Sequence, residues 1–313
     1  MEKKFNIVFM GTPDFAVPPL EALARYHCHI SLVITQPDRP KGRGKKMMPP
    51  PVKTAATQLG LEVIQPESMK EEQVVERLKA LKPDLFVVVA FGHKLSNELL
   101  AIPRLYPVNI HASLLPRYRG SSPIQAAILN RDKETGVTTM VMDQGLDTGD
   151  MLLSAKTPIA VDETAATLHE RLAAMGADLI IETFDAIAAD TIVPRPQDHD
   201  LASHAPMLKK EDGRIDWHLA PEEIHALVRA MTPWPGTFTF LDTRRIKVFA
   251  VKEGKQESDL APGTIISWDE EGIHVAAGKG SVTILELMGA SGKRLTAGQF
   301  LQGNRLEPGE RLG

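Results

Sequence analysis

Asp84-Leu85-Phe86-Val87-Val88-Val89-Ala90 is the stretch whose reading decides the fold. From Phe86 to Ala90 it is continuously apolar, the pattern of a strand buried on both faces rather than one. Such a strand needs helices above and below it, and the flanking sequence supplies them. Asn6–Met10, His29–Thr35 and Val108–His111 read as further strands, with amphipathic stretches around Phe15–Ala24, Gln73–Leu81 and Ser121–Leu129. This alternation predicts a parallel sheet covered by helices. Gly136–Met142 and Met151–Ile159 read as an antiparallel pair around a loop, and Glu163–Ala189 as a long helix.

Beyond that helix the pattern changes. Pro194, Pro196 and Pro206 punctuate a polar segment, and residues 191–208 read as a linker. A helical stretch, Pro221–Met231, precedes short strands near Gly236–Leu241, Ile246–Val251, Thr264–Trp268, Ile273–Ala277 and Val282–Leu287. Short strands at turn-separated spacing predict a small barrel. The fold class expected is therefore α/β: a Rossmann-like, mostly parallel sheet in an N-terminal catalytic domain, residues 1–190, and a small OB-like β-barrel in a C-terminal domain, residues 209–313.

At 313 residues the chain exceeds the usual single-domain size. A hydrophobic fraction of 43% and a charged fraction of 24% are ordinary for a globular chain, and a net charge of −4 gives no general attraction to polyanions. A nucleic-acid partner must be met by a local patch. Cys28 is the single cysteine, so no intrachain disulfide is possible, and Tyr26-His27-Cys28-His29 reads as packing rather than a metal site. The N-terminus runs into a strand without a signal-peptide core, and no apolar run approaches the roughly 20 residues of a membrane span. A cytoplasmic protein with no membrane partner is expected.

The chemistry concentrates in Asn109-Ile110-His111-Ala112-Ser113-Leu114-Leu115-Pro116-Arg117-Tyr118-Arg119-Gly120. Residues two apart in a strand share a face, so Asn109 and His111 are delivered to one point. An amide donor beside an imidazole suits stabilisation of the oxyanion that forms during acyl transfer. The turn Ser113–Pro116 that follows has a backbone able to line a flat ligand. The alternative, a pair of polar core groups satisfied by neighbours, fits the adjoining Pro- and Gly-containing turn less well. In Asp143-Gln144-Gly145-Leu146-Asp147-Thr148-Gly149-Asp150 the pattern of a calcium loop is absent. Asp147, flanked by glycines, reads as a carboxylate aimed at a neighbouring imidazole, and Asp143 and Asp150 as turn and capping groups.

Other motifs bound the reading. Gly11-Thr12-Pro13-Asp14-Phe15 stands where a dinucleotide-binding domain carries G-x-G-x-x-G, but Pro13 and Ala16 replace the second and third glycines. A nicotinamide or flavin enzyme is therefore disfavoured. No H-E-x-x-H or Cys/His cluster exists, so a protein-bound zinc is not expected. Asp38-Arg39-Pro40-Lys41-Gly42-Arg43-Gly44-Lys45-Lys46 holds five cations and one anion between glycines. It is either a solvated loop or a loop that orders on a phosphate backbone, with Arg43 best placed to intrude. Arg214-Ile215-Asp216-Trp217 and Pro233-Trp234-Pro235-Gly236 open the second domain, their aromatics read as core. Lys209 and Lys210 could meet phosphates there, although 14 basic and 15 acidic residues from Lys209 onward leave that domain nearly neutral.

Taken together these motifs resemble the 10-formyltetrahydrofolate-dependent formyltransferases, and within them the methionyl-tRNA formyltransferases. Asn109-x-His111 with Asp147 is the shared signature. Gly11-Thr12-Pro13-Asp14-Phe15, the insertion from Gln36 to Lys46, and Arg214-Ile215-Asp216-Trp217 with Pro233-Trp234-Pro235 narrow it, and the resemblance covers nearly the whole chain. It implies a folate donor lying against Ser113, Leu114, Leu115 and Pro116, its ring near Phe91 and Gly92. It implies that the α-amine of initiator methionyl-tRNA attacks the N10 formyl carbon. Asn109 and protonated His111 then stabilise the oxyanion, and Asp147 supports His111 or a proton-carrying water. It also implies tRNA contacts from Arg43, Lys45, Lys46 and Lys210, help from the linker and barrel, no metal or nucleotide cofactor, and a monomer. The nearly neutral second domain departs from the basic surface expected there. Two other classes share part of the pattern. A sugar-nucleotide or small-amine formyltransferase does not need the basic insertion, and a non-enzymatic RNA-binding protein does not need Asn109, His111 and Asp147.

Overall fold

The computed structural model describes residues 5–26, 28–41, 44, 46–254, 258–290, 292–304 and 306–313. Arg43 and Lys45 lie outside the described residues. The elements are β1 (Asn6–Gly11), α1 (Val17–Arg25), β2 (His29–Ile34), β3 (Arg39–Lys41), β4 (Lys46–Met48), α2 (Pro51–Gln58), β5 (Val63–Ile64), α3 (Glu72–Leu81), β6 (Leu85–Val89), α4 (Asn97–Leu100) and β7 (Tyr106–His111). They continue with β8 (Arg119–Gly120), α5 (Pro123–Leu129), β9 (Glu134–Val141), β10 (Met151–Pro158), α6 (Ala165–Ala188), β11 (His204–Ala205) and α7 (Pro221–Ala230). Last come β12 (Thr237–Leu241), β13 (Arg244–Glu253), β14 (Ile265–Trp268), β15 (Ile273–Ala276), β16 (Ser281–Met288), β17 (Leu295–Thr296) and α8 (Ala297–Gly303).

The first sheet has strand order β10-β9-β7-β6-β1-β2-β5. Pairings β5–β2, β2–β1, β1–β6 and β6–β7 are parallel, and β9 runs antiparallel to β7. All five residues of β6 are buried, as its unbroken apolar run requires. Burying a Val, Leu or Phe side chain fully contributes about 1.5–3 kcal/mol, so these central strands anchor the unit. Phe5 and Phe184 of α6 add an edge-to-face ring pair at 5.5 Å. The chain winds from β1 toward β2 on one side and toward β6 on the other. The strand order therefore reverses beside β1, where sheets of this kind bind ligands at their carboxyl ends.

The second sheet is antiparallel, in the order β12-β13-β16-β15-β14 with β17 on β16. Its two edges are joined by the last residues: Leu312 bridges Leu241 of β12, and Arg311 bridges Thr264 just before β14. The last residues thus bridge both edges of the sheet, as a closing barrel requires. Its core contains Trp217, whose indole N–H donates to the Thr239 hydroxyl at 3.0 Å, packed with Ile215, Ile224 and Phe300.

The chain forms two compact units, a first of Met1–Pro123, Glu134–Thr157 and His169–Ala205, and a second of Ile124–Lys133, Pro158–Leu168 and Pro206–Gly313. Three features differ from the expectations above. The stretch read as a linker is tied into the first unit: Arg195 bridges Met151, β11 pairs with β8, and Gln197 is 5% exposed. Prolines break helices and strands, yet leave neighbouring polar side chains free to bond backbone, which is what happens here. Trp234 is 52% exposed rather than core, because the proline-flanked turn between α7 and β12 has no periodicity to face it inward. Residues 51–58, to which no element was assigned above, form α2, with Pro51 at the start and Val52, Ala55 and Ala56 buried at helical spacing.

Candidate active site

Asn109 and His111 occupy the last turn of pleat in β7 and share a face. Asn109 sits opposite Val88 on β6 and Met140 on β9, and His111 opposite Thr138. His111 is 6% exposed. Its Nε2 lies 2.9 Å from the Tyr118 carbonyl, and its Nδ1 lies 3.6 Å from Asp147 Oδ2. Both ring nitrogens face acceptors. Asn109 Nδ2 stands 3.5 Å from the other carboxylate oxygen of Asp147. The two donors therefore converge on one carboxylate.

Asp147 is brought there by a loop built around close approaches. Asp143 accepts from the Gly145 N–H at 3.0 Å and from the Thr148 hydroxyl at 2.7 Å, which makes it the turn residue expected. Gly149 has no room for a side chain, since a Cβ would fall 1.8 Å from the Val141 carbonyl oxygen. Asp147 itself has φ of 54°, a left-handed conformation that Asp tolerates better than most residues. Its Oδ2 accepts from the Gly120 N–H at 2.8 Å. Gly120 has φ of 114°, and a Cβ there would meet the Ala205 oxygen at 2.6 Å.

The turn after β7 is locked from within. The Ser113 hydroxyl donates to the Arg117 carbonyl at 2.6 Å, the Thr138 hydroxyl donates to the Ser113 carbonyl at 2.7 Å, and the Leu115 N–H reaches Thr138 Oγ1 at 3.3 Å. Ser113 and Leu115 are buried, and Leu114 and Pro116 are half-buried. A cavity of about 330 Å³ opens beside Asp147, lined by Gly92, His93, Leu95, Met140, Met142 and Leu146 among others. Ser113–Pro116 are not among its lining residues, and Phe91 is buried behind it with its ring 5.1 Å from that of His93. The volume is that of a small-ligand site. His93, which lines the cavity, has its Nε2 buried with no hydrogen-bond partner among the described residues.

The basic insertion is a hairpin at its base, with Arg39 opposite Met48 and Lys41 opposite Lys46. Lys46 is exposed. The Lys53 ammonium donates to both Asp38 carboxylate oxygens at 2.8 and 2.9 Å, and Gln65 Nε2 donates at 2.7 Å. These bonds, from Lys53 first and Gln65 second, hold the Asp38 carboxyl below the usual carboxylate range. Lys210 begins a short 3-10 turn of the second unit, where it is exposed. Among the described residues no group of three His, Cys, Asp or Glu could hold a metal ion, and no helix is long and apolar enough to cross a membrane.

Residues 3–184 match the Formyl transferase family profile, and residues 207–305 that of the Formyl transferase C-terminal domain. A methionyl-tRNA formyltransferase of Citrifermentans bemidjiense is 51% identical, over 98% of this chain and 96% of its own length. One from Geotalea uraniireducens is 50% identical over 98% of both chains. The chain belongs to the methionyl-tRNA formyltransferase family. Among solved structures, an N-formyltransferase of Helicobacter canadensis, in complex with folinic acid and dTDP-3-aminofucose, aligns with TM-score 0.64 at 19% identity, over 90% of this chain and 99% of that one. At that identity the likeness is one of fold.

Two residues that frame the loop were not singled out in the sequence. Gln197 Nε2 donates to the Asp147 carbonyl at 2.9 Å and to the Gly149 carbonyl at 2.7 Å, and its Oε1 accepts from Arg119 Nε at 3.0 Å and Nη2 at 2.7 Å. Neither lies within the Asn109–His111 spacing or the Asp147 turn, and their contact spans 78 residues. Arg119 lay inside the quoted Asn109–Gly120 stretch without a role, and Gln197 inside the polar segment read as a linker.

Proposed function

We propose that this chain transfers the formyl group of 10-formyltetrahydrofolate to the α-amine of initiator methionyl-tRNA, acting in the cytoplasm as a monomer. The observation that carries the reading is the convergence of Asn109 Nδ2 and His111 Nδ1 on the Asp147 carboxylate, beside a cavity of small-ligand size. Family membership and relatives about half identical over the full chain support the substrate assignment.

The folate supplies an activated formyl group; the protein supplies position and charge. In this reading the Asn109 Nδ2 and His111 Nδ1 donors turn from the Asp147 carboxylate, 3.5 and 3.6 Å away, to the formyl oxygen as it gains negative charge. Transfer forms a bond from the amine nitrogen to the formyl carbon and releases N10, so one proton leaves the amine and one reaches N10. Asp147 takes the proton that the amine loses, directly or through a water, and passes it on to N10 as the bond from the formyl carbon to N10 breaks, so the step is proton-neutral. The cavity lined by Gly92 to Leu95, Met140 and Met142 to Leu146 takes the folate ring, and the Ser113–Pro116 turn, which does not line that cavity, contributes to the donor site as the family resemblance implies. Arg43, Lys45, Lys46 and Lys210 meet the tRNA backbone. Chemistry of this kind needs no metal.

The test is formyl transfer measured with methionyl-tRNA and with a dTDP-amino sugar in parallel. Turnover on methionyl-tRNA alone supports the reading. Turnover on the amino sugar alone assigns the chain to the small-amine class, and folate-independent tRNA binding without turnover assigns it to the RNA-binding class.

A further inference from the structure

We propose that Gln197 is a positioning residue for Asp147, acting through the backbone of the catalytic loop; the inference rests on the formyl-transfer reading above. Asp147 is held at two points. Its carboxylate takes the Gly120 N–H, and its carbonyl takes the Gln197 side chain. The same Gln197 amide nitrogen bridges to the Gly149 carbonyl, so a single NH₂ group fastens the loop on both sides of Thr148. Its oxygen is anchored in turn by Arg119, the residue next to Gly120. The dipeptide Arg119–Gly120 therefore fixes Asp147 directly at one end and through Gln197 at the other.

The amide has two N–H donors and two acceptor positions, and all four are in use. A flipped amide would place N–H groups against Arg119 and oxygen against two carbonyls, so one orientation is enforced. Both residues are buried, Arg119 at 4% and Gln197 at 5% exposure, where an unmet polar group is costly and a met one is rigid. This matters because Asp147 rests in a left-handed conformation, which persists only where surroundings over-determine it. Releasing the carbonyl lets the peptide rotate and carries the carboxylate away from Asn109 and His111. Misplacement by about 1 Å can cost on the order of 100-fold in rate.

Gln197→Glu is the discriminating change. It keeps size and the Arg119 contact but presents an acceptor to two carbonyls. Gln197→Met removes the donors without adding charge, and serves if the first variant does not fold. Either should lower kcat by about 10- to 100-fold, leave KM for the folate within a few-fold, and displace the pH–rate profile. In an Asp147→Asn background the same change should alter kcat less than about threefold, because residues acting as one unit are not additive. A loss that recurs in full in that background, or a kcat within twofold of wild type in a folded single variant, overturns the positioning role. If Asp147→Asn alone keeps wild-type turnover, the formyl-transfer reading of the site fails first and the inference falls with it.

Discussion

The Asp143–Asp150 loop and the Arg39–Met48 hairpin both belong to the first unit, and they are held in opposite ways. The catalytic loop is bonded along its length: Thr148 to Asp143, Gly149 packed on Val141, and Asp147 secured at both carboxylate and carbonyl. The hairpin is secured at its foot, where Asp38 meets Lys53 and Gln65 and Arg39 meets Gln36. That Lys53–Asp38 pair is about a third exposed, a setting in which ion pairs are worth little. The contrast fits the two roles proposed above. A proton acceptor must sit within a fraction of an ångström of its partner, whereas a phosphate contact is long-ranged and tolerates movement.

The largest expected effect lies on the clamped side. His111→Ala and Asn109→Ala should each reduce kcat by about 10²–10³, the usual cost of one lost oxyanion donor, with the melting profile showing an intact fold. A few-fold change in either would mean that the convergence on Asp147 is structural.

Asp147→Asn comes next. The amide keeps the Gly120 N–H bond but can neither take up a proton nor balance an imidazolium, so kcat should fall by about 100-fold while folate affinity changes little. The pH–rate profile should lose the limb that the carboxylate contributes. A profile that overlays the wild type would separate Asp147 from the chemistry and leave the loop merely rigid.

What could be read in advance divides along similar lines. β6, β7 and the Asn109–His111 pair were legible because strand periodicity and unbroken apolar runs are local signals. Asp147 was legible as a carboxylate between glycines. Gln197 was not, since its bonds to Asp147 and Arg119 join segments 50 and 78 residues apart and follow no period. Its neighbours Pro194 and Pro196 directed attention to a linker, although residues up to Ala205 pack in the first unit. A truncation near Thr191 would therefore remove Gln197 as well as the barrel. Helix α2 carried a readable signal, proline at its first position and apolar residues at i, i+3 and i+4, that the row of prolines before it obscured. The closing of the barrel by Leu312 and Arg311 depends on pairing across the domain and leaves no local mark.

On the hairpin side the effects should be smaller and should depend on salt. Arg43→Ala and Lys46→Ala should each weaken methionyl-tRNA use several-fold with folate affinity unchanged. Each lost phosphate contact should lower the slope of log K against log salt by about one unit. Equal kinetics at every salt concentration would return the insertion to a solvated loop, and a salt-independent drop in kcat would place it among the clamped elements.

Asp38→Asn should have the smallest effect and draws the boundary between the two regions. Lys53 and then Gln65 hold the Asp38 carboxyl low by hydrogen bonding, so the folded state binds its proton less readily than the unfolded chain does. The stabilisation is therefore fully present above the ordinary carboxylate value and is lost as pH falls through the lower folded-state value. The melting temperatures of wild type and Asp38→Asn should differ slightly near neutrality and converge in strong acid. KM for methionyl-tRNA should rise about twofold, because a looser foot lets the hairpin sample more orientations, and kcat should hold. The hairpin foot does touch the cavity rim: Gln36, which accepts from Arg39 at 2.8 Å, also lies 3.4 Å from the Phe91 carbonyl, just before Gly92. If Asp38→Asn lowered kcat as far as Asp147→Asn does, that contact would transmit the hairpin's position to the folate wall, and the insertion would belong to the catalytic apparatus rather than to the tRNA grip alone.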